Sequence, residues 1–214
     1  MTDGETPVLR RGRGRRPAAA VRASILAAAA ALLFEEGIRS VTFDRVASAA
    51  GVSKMTVYKW WASPGSLAAE AFFARSEPAL AFRDTGDVRA DVASQLHAFV
   101  RLLTDDGAGR VLRELIGAAQ TDPDLSKAVS TGYTAPRRAL AVDLFRRARE
   151  RGQLRSDVDL SMLVDQLWGA CYNRLLIPDE PLNAPYVDAL VENVFLGAAS
   201  AEYRESEANA RSPY

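Results

Sequence analysis

The spacing of apolar residues limits the fold of this chain more than any other feature. Along nearly all of the 214 residues, apolar side chains recur at intervals of three and four positions, and no segment sustains the alternation of a half-buried strand. Such intervals place side chains on one face of an α-helix, because the helix has about 3.6 residues per turn. The pattern therefore predicts an all-α protein.

Helix-capping and helix-breaking residues divide this pattern into separate helices. The first helix is predicted to begin at Pro17, a residue favoured in the first turn, and to end before Gly37. Gly51 separates two short helices, Pro78 ends or kinks the fourth, and Pro136 predicts a kink in the longest. The predicted helices span residues 17–36, 42–50, 53–61, 64–77, 87–104, 109–120, 123–151, 159–177 and 184–203.

Residues 42–61 have the organisation of a helix-turn-helix. Val46 and Ala47 are small apolar residues that allow two helices to cross closely. Gly51 permits the positive φ angle that a tight turn requires, and Ser53 is suited to cap the second helix. The segment therefore predicts two short helices, the second of which is held toward the solvent.

The second short helix carries side chains suited to reading DNA. The charged residues between positions 52 and 62 are Lys54 and Lys59, and both are positive. A helix in the major groove contacts base edges with the residues near its start, so Lys54 and Met55 are the predicted base readers. The full predicted DNA-binding set, in which Thr42 and Tyr58 bind phosphates, is Arg13, Arg15, Arg16, Thr42, Ser53, Lys54, Met55, Thr56, Tyr58, Lys59 and Trp60. An αα-hairpin with no role in DNA binding is the alternative.

Charge is distributed unevenly along the chain, although the total is balanced at 27 basic and 27 acidic residues. Residues 1–62 contain ten Lys and Arg and five Asp and Glu, whereas the rest of the chain contains 17 and 22. This asymmetry indicates a basic DNA-binding end joined to an acidic body. The arginines of residues 10–16 are predicted to form a flexible arm that enters the minor groove, with a solvated tail as the alternative.

The sequence gives little support to membrane proteins or enzymes. The apolar run at residues 25–34 follows a basic segment, as in a secretory signal, but it is about half the length that spans a bilayer. A single cysteine and a single histidine fit a cytoplasmic protein with no metal, no other cofactor and no membrane partner. Cys171 and His97 lie in no nucleophile motif, so no catalytic residues are expected.

The helix-turn-helix segment resembles the DNA-binding signature of the TetR-type bacterial transcriptional regulators. The similarity covers residues 25–67, and Gly37 stands where the first helix of that family ends. The matching residues are Thr42 to Ala47, Ala50-Gly51-Val52-Ser53, Thr56-Val57-Tyr58 and Trp61. Two positions differ, since Met55 replaces a frequent glycine and Pro64 replaces a frequent lysine that holds phosphate. The first difference bears on base preference and the second on one backbone contact.

The resemblance implies an α-helical homodimer in which each chain has a DNA-binding head and a C-terminal body that binds a small effector. The chain then divides into an arm at 1–16, a helix-turn-helix domain at 17–63, an effector-binding and dimerisation domain at 64–204 and a disordered tail at 205–214. In such proteins the last two helices pair across the dimer, although packing within one chain is the alternative for each residue. The expected interface residues are Leu163, Leu167, Ala170, Leu190, Val194 and Leu196.

An effector cavity is expected inside the C-terminal domain. Its predicted lining consists of Phe99, Leu103, Leu115, Tyr133, Trp168, Cys171 and Tyr172. No acidic or basic residue stands out as a partner for a charged compound, so the expected effector is apolar or aromatic. The expected function is repression at a palindromic operator in double-stranded DNA, from which the effector releases the protein. The alternative is an architectural DNA-binding protein that responds to no ligand.

Overall fold

The computed structural model describes residues 17–105 and 107–196, and every regular element within these two ranges is helical. The helices are α1 (Ala18–Glu36), α2 (Phe43–Ala50), α3 (Lys54–Tyr58), α4 (Pro64–Ser76), α5 (Val88–Asp105), α6 (Ala108–Ala119), α7 (Pro123–Val129), α8 (Ala135–Glu150), α9 (Leu160–Val164), α10 (Ala170–Leu176) and α11 (Ala184–Leu196). The all-α prediction is confirmed. The predicted arm with Arg13, Arg15 and Arg16, the predicted tail and residues 197–203 of the last predicted helix lie outside the described residues.

Two of the predicted long helices contain a π-helical turn. Residues Ser130–Thr134 form such a turn between α7 and α8, and Asp165–Gly169 form another between α9 and α10. Pro136 lies just after the first turn, where its ring would otherwise crowd the carbonyl four residues earlier. The predicted irregularity near Pro136 is therefore a widened turn inside a helix that continues to Glu150.

Helix α4 joins the N-terminal head, formed by α1 to α3, to the body, formed by α5 to α11. It packs against α1 on one side and against α7 on the other. Phe72 is fully buried and stacks on Phe34 of α1, with ring centroids 6.0 Å apart. Phe73 stacks on Tyr133 at 4.0 Å, with the two rings nearly parallel. Aromatic pairs of this kind contribute about 0.5–1.5 kcal/mol beyond their buried area, so α4 fixes the head on the body.

A polar contact from α6 reinforces this connection at the end of α1. The Glu114 carboxylate accepts a hydrogen bond from the backbone N–H of Ile38 at 2.8 Å. The Arg110 guanidinium donates to the backbone carbonyl of Phe34 at 2.6 Å and pairs with Glu114 at 2.8 Å. These bonds satisfy backbone groups that the end of a helix leaves unpaired, and they attach the head to α6.

Within the described ranges, α1 is the one helix that is long and apolar enough to span a membrane, with a mean hydropathy of 1.7 over 18 residues. Ile25, Ala29 and Leu33 on its inner face are fully buried. The helix packs against α2 and α4, so its apolar face belongs to the core of the head.

Gly37 is the position where the junction between head and body tolerates substitution least. Its φ angle is 90°, and an added Cβ would lie 2.8 Å from the Glu114 carboxylate. Gly37→Ala is predicted to lower the free energy of unfolding by about 1–3 kcal/mol, measured by denaturant titration. The matched control is Gly117→Ala in α6, where an added Cβ meets nothing within 4 Å. This substitution should stabilise the helix by about 0.5–1 kcal/mol. Equal effects of the two substitutions would contradict this account.

Candidate DNA-binding surface and effector cavity

Caps and a left-handed turn form the frame of the helix-turn-helix. Thr42 caps α2 by accepting a hydrogen bond from the backbone N–H of Arg45 at 3.3 Å. Gly51 ends α2 with a φ angle of 66°, as the sequence predicted. Ser53 caps α3 by accepting from the backbone N–H of Thr56 at 3.2 Å, and their hydroxyl groups lie 2.8 Å apart. The turn therefore gives α3 a fixed start and direction.

The outer side of α3 forms the reading face, which we define as Lys54, Met55, Tyr58, Lys59 and Trp60. Met55 is 75% exposed and Tyr58 is 49% exposed, although the Tyr58 ring also contacts Phe43 edge-on at 4.6 Å. A shallow groove beside this face is lined by Met55, Lys59 and Trp60 together with Pro17 at the start of α1. The predicted α3 residues therefore lie together, next to the point where the preceding arm joins the head.

Trp60 and Trp61 lie just after the end of α3, and Trp61 connects this end of the helix to the rest of the head. Trp61 is 4% exposed, and its indole N–H donates to the Glu70 carboxylate at 2.8 Å. Arg22 of α1 pairs with the same carboxylate, and its guanidinium lies 5.3 Å from the Trp61 ring centroid. Trp60 is only half-buried and lines the shallow groove. Trp61 is therefore packed inside the head, whereas Trp60 belongs to the reading face.

Acidic neighbours hold two basic side chains of the head. The Asp44 carboxylate pairs with Lys54 Nζ at 2.8 Å, and this hydrogen bond raises the pKa of Lys54. The Glu36 carboxylate pairs with Arg45 at 2.6 Å, and the bond lowers the pKa of Glu36. Lys59 makes no ion pair with any described residue. Because exposed pairs are weak, Lys54 can exchange Asp44 for a DNA acceptor at little cost.

The body contains a partly open cavity of about 160 Å³ between α5, α8 and the helices α9 and α10. Four residues of the predicted set line it, namely Phe99, Tyr133, Trp168 and Tyr172. Leu103, Leu115 and Cys171 are buried in the core but do not line the cavity. Burial also raises the pKa of the Cys171 thiol to about 12, so the thiol stays protonated at neutral pH.

Several polar side chains that the sequence analysis omitted also line this cavity. Gln95 is 3% exposed, and its amide oxygen accepts a hydrogen bond from the Trp168 indole at 2.9 Å. Arg137 places its guanidinium 4.7 Å from the Phe82 ring centroid, whereas Arg138 pairs with Asp165. The sequence held a signal for Gln95, because it interrupts the apolar face of α5 one turn before Phe99. Arg137 follows Tyr133 by four residues, which places both on one helical face.

Two family profiles match this chain, one over the helix-turn-helix and one over the helical body. The profile described as "Bacterial regulatory proteins, tetR family" matches residues 25–71, which include the helix-turn-helix. The profile described as "Tetracyclin repressor-like, C-terminal domain" matches residues 82–194, which is more than half of the chain. The chain belongs to the TetR family of transcriptional regulators. It is therefore a helix-turn-helix, DNA-binding transcriptional regulator.

Individual TetR-family relatives match along most of their length. An uncharacterised HTH-type transcriptional regulator of Bacillus subtilis, YdeS, is 36% identical over 194 residues, which cover 91% of this chain and 98% of the relative. The DNA-binding transcriptional repressor TetR of Mycobacteroides abscessus is 28% identical over 81% of this chain and 91% of its own. The crystal structure of another TetR family transcription regulator is 56% identical with a TM-score of 0.78, and it covers 84% of this chain and 99% of its own.

The predicted dimer residues occupy three different environments within this TetR-family chain. Leu163 and Leu167 are buried inside the chain and offer almost no surface to a partner. Ala170, Leu190 and Val194 are half-buried, and Leu196 is 55% exposed at the end of the described part of α11. Of the six predicted residues, Ala170, Leu190, Val194 and Leu196 therefore keep surface that a partner could cover, whereas Leu163 and Leu167 do not.

Asp44→Asn is predicted to strengthen binding to any DNA duplex. The substitution removes a negative charge beside the reading face and frees Lys54 from its pair. Because exposed ion pairs are weak, affinity should rise by only about two- to threefold, measured by fluorescence anisotropy over a range of salt concentrations. Asp157→Asn, an equal charge change in the body, is the control. The assignment of Asp44 to the DNA face is wrong if both variants shift affinity equally.

Proposed function

We propose that this TetR-family regulator represses transcription as a homodimer on a palindromic operator, and that a small effector in the body cavity releases it. The observation that carries the proposal is the reading face, a basic and aromatic surface held outward by Ser53, Gly51 and the buried Trp61. The relative from Mycobacteroides abscessus that is named a DNA-binding transcriptional repressor supports repression as the output. A cytoplasmic location fits this role.

A dimer is needed because one α3 helix, only five residues long, contacts few base pairs. Two recognition helices read a palindrome when they lie about 34–36 Å apart, which is one turn of DNA. The half-buried and exposed apolar residues of α10 and α11 are the surface we assign to the dimer. We assign the arginines ahead of Pro17 to the minor groove of the DNA. Pro17, which follows them in the chain, lines the shallow groove on the protein surface beside α3 and so lies close to the reading face.

The described contacts supply a route from the cavity to the head. Tyr133 lines the cavity and stacks on Phe73 of α4, which packs against α1. A ligand that displaces Tyr133 therefore changes how α4 and the head sit on the body. Release follows if the ligand binds more tightly to the conformation whose head spacing does not fit the operator, and only to the extent of that difference in affinity.

Substitutions on the reading face should separate base contacts from phosphate contacts. Lys59→Ala and Tyr58→Phe are predicted to weaken binding to all sequences about equally, because phosphates carry no sequence information. Lys54→Ala and Met55→Gly are predicted to change the preferred bases by about 1–3 kcal/mol per affected pair. Binding of each variant to a library of operator variants measures both effects. Lys127→Ala, which removes an exposed charge from α7 in the body, is the control and should change neither.

A uniform loss of affinity from all four reading-face variants would contradict the assignment of base readers. The release step has a separate test, in which operator affinity is measured with and without each compound that binds the purified protein. Release predicts that at least one of these compounds weakens operator binding. Operator affinity that none of them changes would instead favour a ligand-independent, architectural DNA-binding protein.

A further inference from the structure

We propose that the ligand of the body cavity is a small aromatic anion, about one ring bearing a carboxylate or a similar anionic group. This inference rests on the proposed effector role of the cavity and names the chemical class of the effector. It follows from three properties of the cavity walls, which are their aromatic surface, one cation without an ionic partner and one buried amide donor without an acceptor among the described residues.

Among the described residues, five aromatic side chains line the cavity, namely Phe82, Phe99, Tyr133, Trp168 and Tyr172. Phe82 and Trp168 contact each other with ring centroids 5.8 Å apart, and Phe99 meets Tyr172 edge-on at 5.5 Å. The volume of about 160 Å³ is close to the roughly 150 Å³ of an apolar cavity known to hold benzene. The wall therefore offers faces and edges for a single ring.

Arg137 supplies a cation at this wall. Its guanidinium stacks over Phe82, and partial burial lowers its pKa from the usual value, although an arginine stays charged at neutral pH. Glu77 attracts it from a distance, but no described carboxylate comes within ion-pair range of Arg137. Arg138, its neighbour, is already paired with Asp165. An anionic group on the ligand would therefore meet one uncompensated charge, and it would bind as a planar guanidinium binds a carboxylate.

The Gln95 amide adds a buried donor at the same wall. The Trp168 indole can only donate, so the oxygen of the Gln95 amide must face it, and the Gln95 amide nitrogen is buried without a partner among the described residues. The Tyr133 and Tyr172 hydroxyl groups hydrogen-bond to each other, and burial raises the pKa of both, so neither presents a negative charge to a ligand. A buried donor without an acceptor costs free energy, and a purely apolar ligand would leave Gln95 unsatisfied. Carboxylate oxygens are acceptors for both Gln95 and Arg137.

Calorimetric titration of the full-length protein with benzoate and with benzamide tests this inference. The two probes share one ring and nearly one shape, but only benzoate is charged. Benzoate is expected to bind at least about tenfold more tightly than benzamide, the difference that a charge-assisted bidentate pair supplies. Phenylacetate and 4-hydroxybenzoate extend the set of anions, since the position of the charge relative to the ring is not fixed by the wall. Equal binding of each anion and its amide, or no binding of any anion at millimolar concentration, overturns the proposal.

Two substitutions identify the groups that recognise the charge. Arg137→Met should abolish the preference for benzoate and leave benzamide binding within about threefold, because it keeps the apolar stem and removes the charge. Gln95→Glu should also weaken benzoate, because it keeps an acceptor for Trp168 and replaces the donor by a carboxylate. Arg113→Met removes the same charge from an exposed site on α6 outside the cavity and should preserve the preference for benzoate. Equal losses from Arg137→Met and Arg113→Met would show that the anion is attracted by overall charge.

The variants are compared only when their thermal unfolding and their DNA binding match the parent protein. The ligand class and the release function then fail in different ways. If benzoate binds through Arg137 but leaves operator affinity unchanged, the release function is wrong and the ligand class stands. If a neutral aromatic compound releases the operator and no aromatic anion binds, the ligand class is wrong and the release function stands.

Discussion

The packing of α4 between α1 and α7 is the interaction on which the rest of the structure depends. Phe72 and Phe73 are neighbours in sequence, yet one stacks on α1 of the head and the other stacks on Tyr133 of the body. A packed core shifts between discrete arrangements rather than deforming smoothly. A displacement of Tyr133 is therefore expected either to shift α4 into a different packing arrangement or to leave α4 in its present one, with no intermediate positions. The same aromatic contacts therefore hold head and body together and connect the wall of the cavity to α1.

The head combines a rigid frame with an adaptable surface. Inside, Val46 and Val57 are completely buried, and Trp61 is tied to Glu70. Outside, Met55 is flexible and exposed, and Lys54 is held by an exposed pair that DNA can replace. This division suits a protein that slides on DNA through charge and stops where the bases fit. Pro64 occupies the first turn of α4, next to a capping box formed by Ser63 and Ser66. Because proline carries no charge, this position supplies no cation for the DNA phosphates.

Local signals made the head predictable from sequence. The positive φ angle at Gly51 and the cap at Ser53 depend on a few adjacent residues, and a short motif is enough to specify them. The π turn at Asp165–Gly169 had no such signal, because α9 and α10 read as one continuous helix. The irregular turn near Pro136 did have one, since proline lacks the N–H that a regular helix needs.

The cavity was less predictable, because its lining depends on how distant helices rotate against one another. Helical phase predicted that Phe99 and Trp168 line the cavity, and both do. Leu115 is equally apolar, but it is buried in the core and does not line the cavity. By sequence alone Arg137 resembles a surface arginine, whereas in the structure its guanidinium lies over the Phe82 ring. Long side chains of this kind have an apolar stem and a charged end, so sequence pattern alone does not tell which part is buried.

The central claim is that this TetR-family chain reads a specific DNA sequence as a dimer. The most direct test is to select bound fragments from a random DNA pool with the purified full-length protein at near-physiological salt, and to sequence them. The account predicts an enriched palindrome whose half-sites lie about one helical turn apart. Retention that is indifferent to sequence and falls steeply with salt would contradict it, because such binding needs only a basic surface.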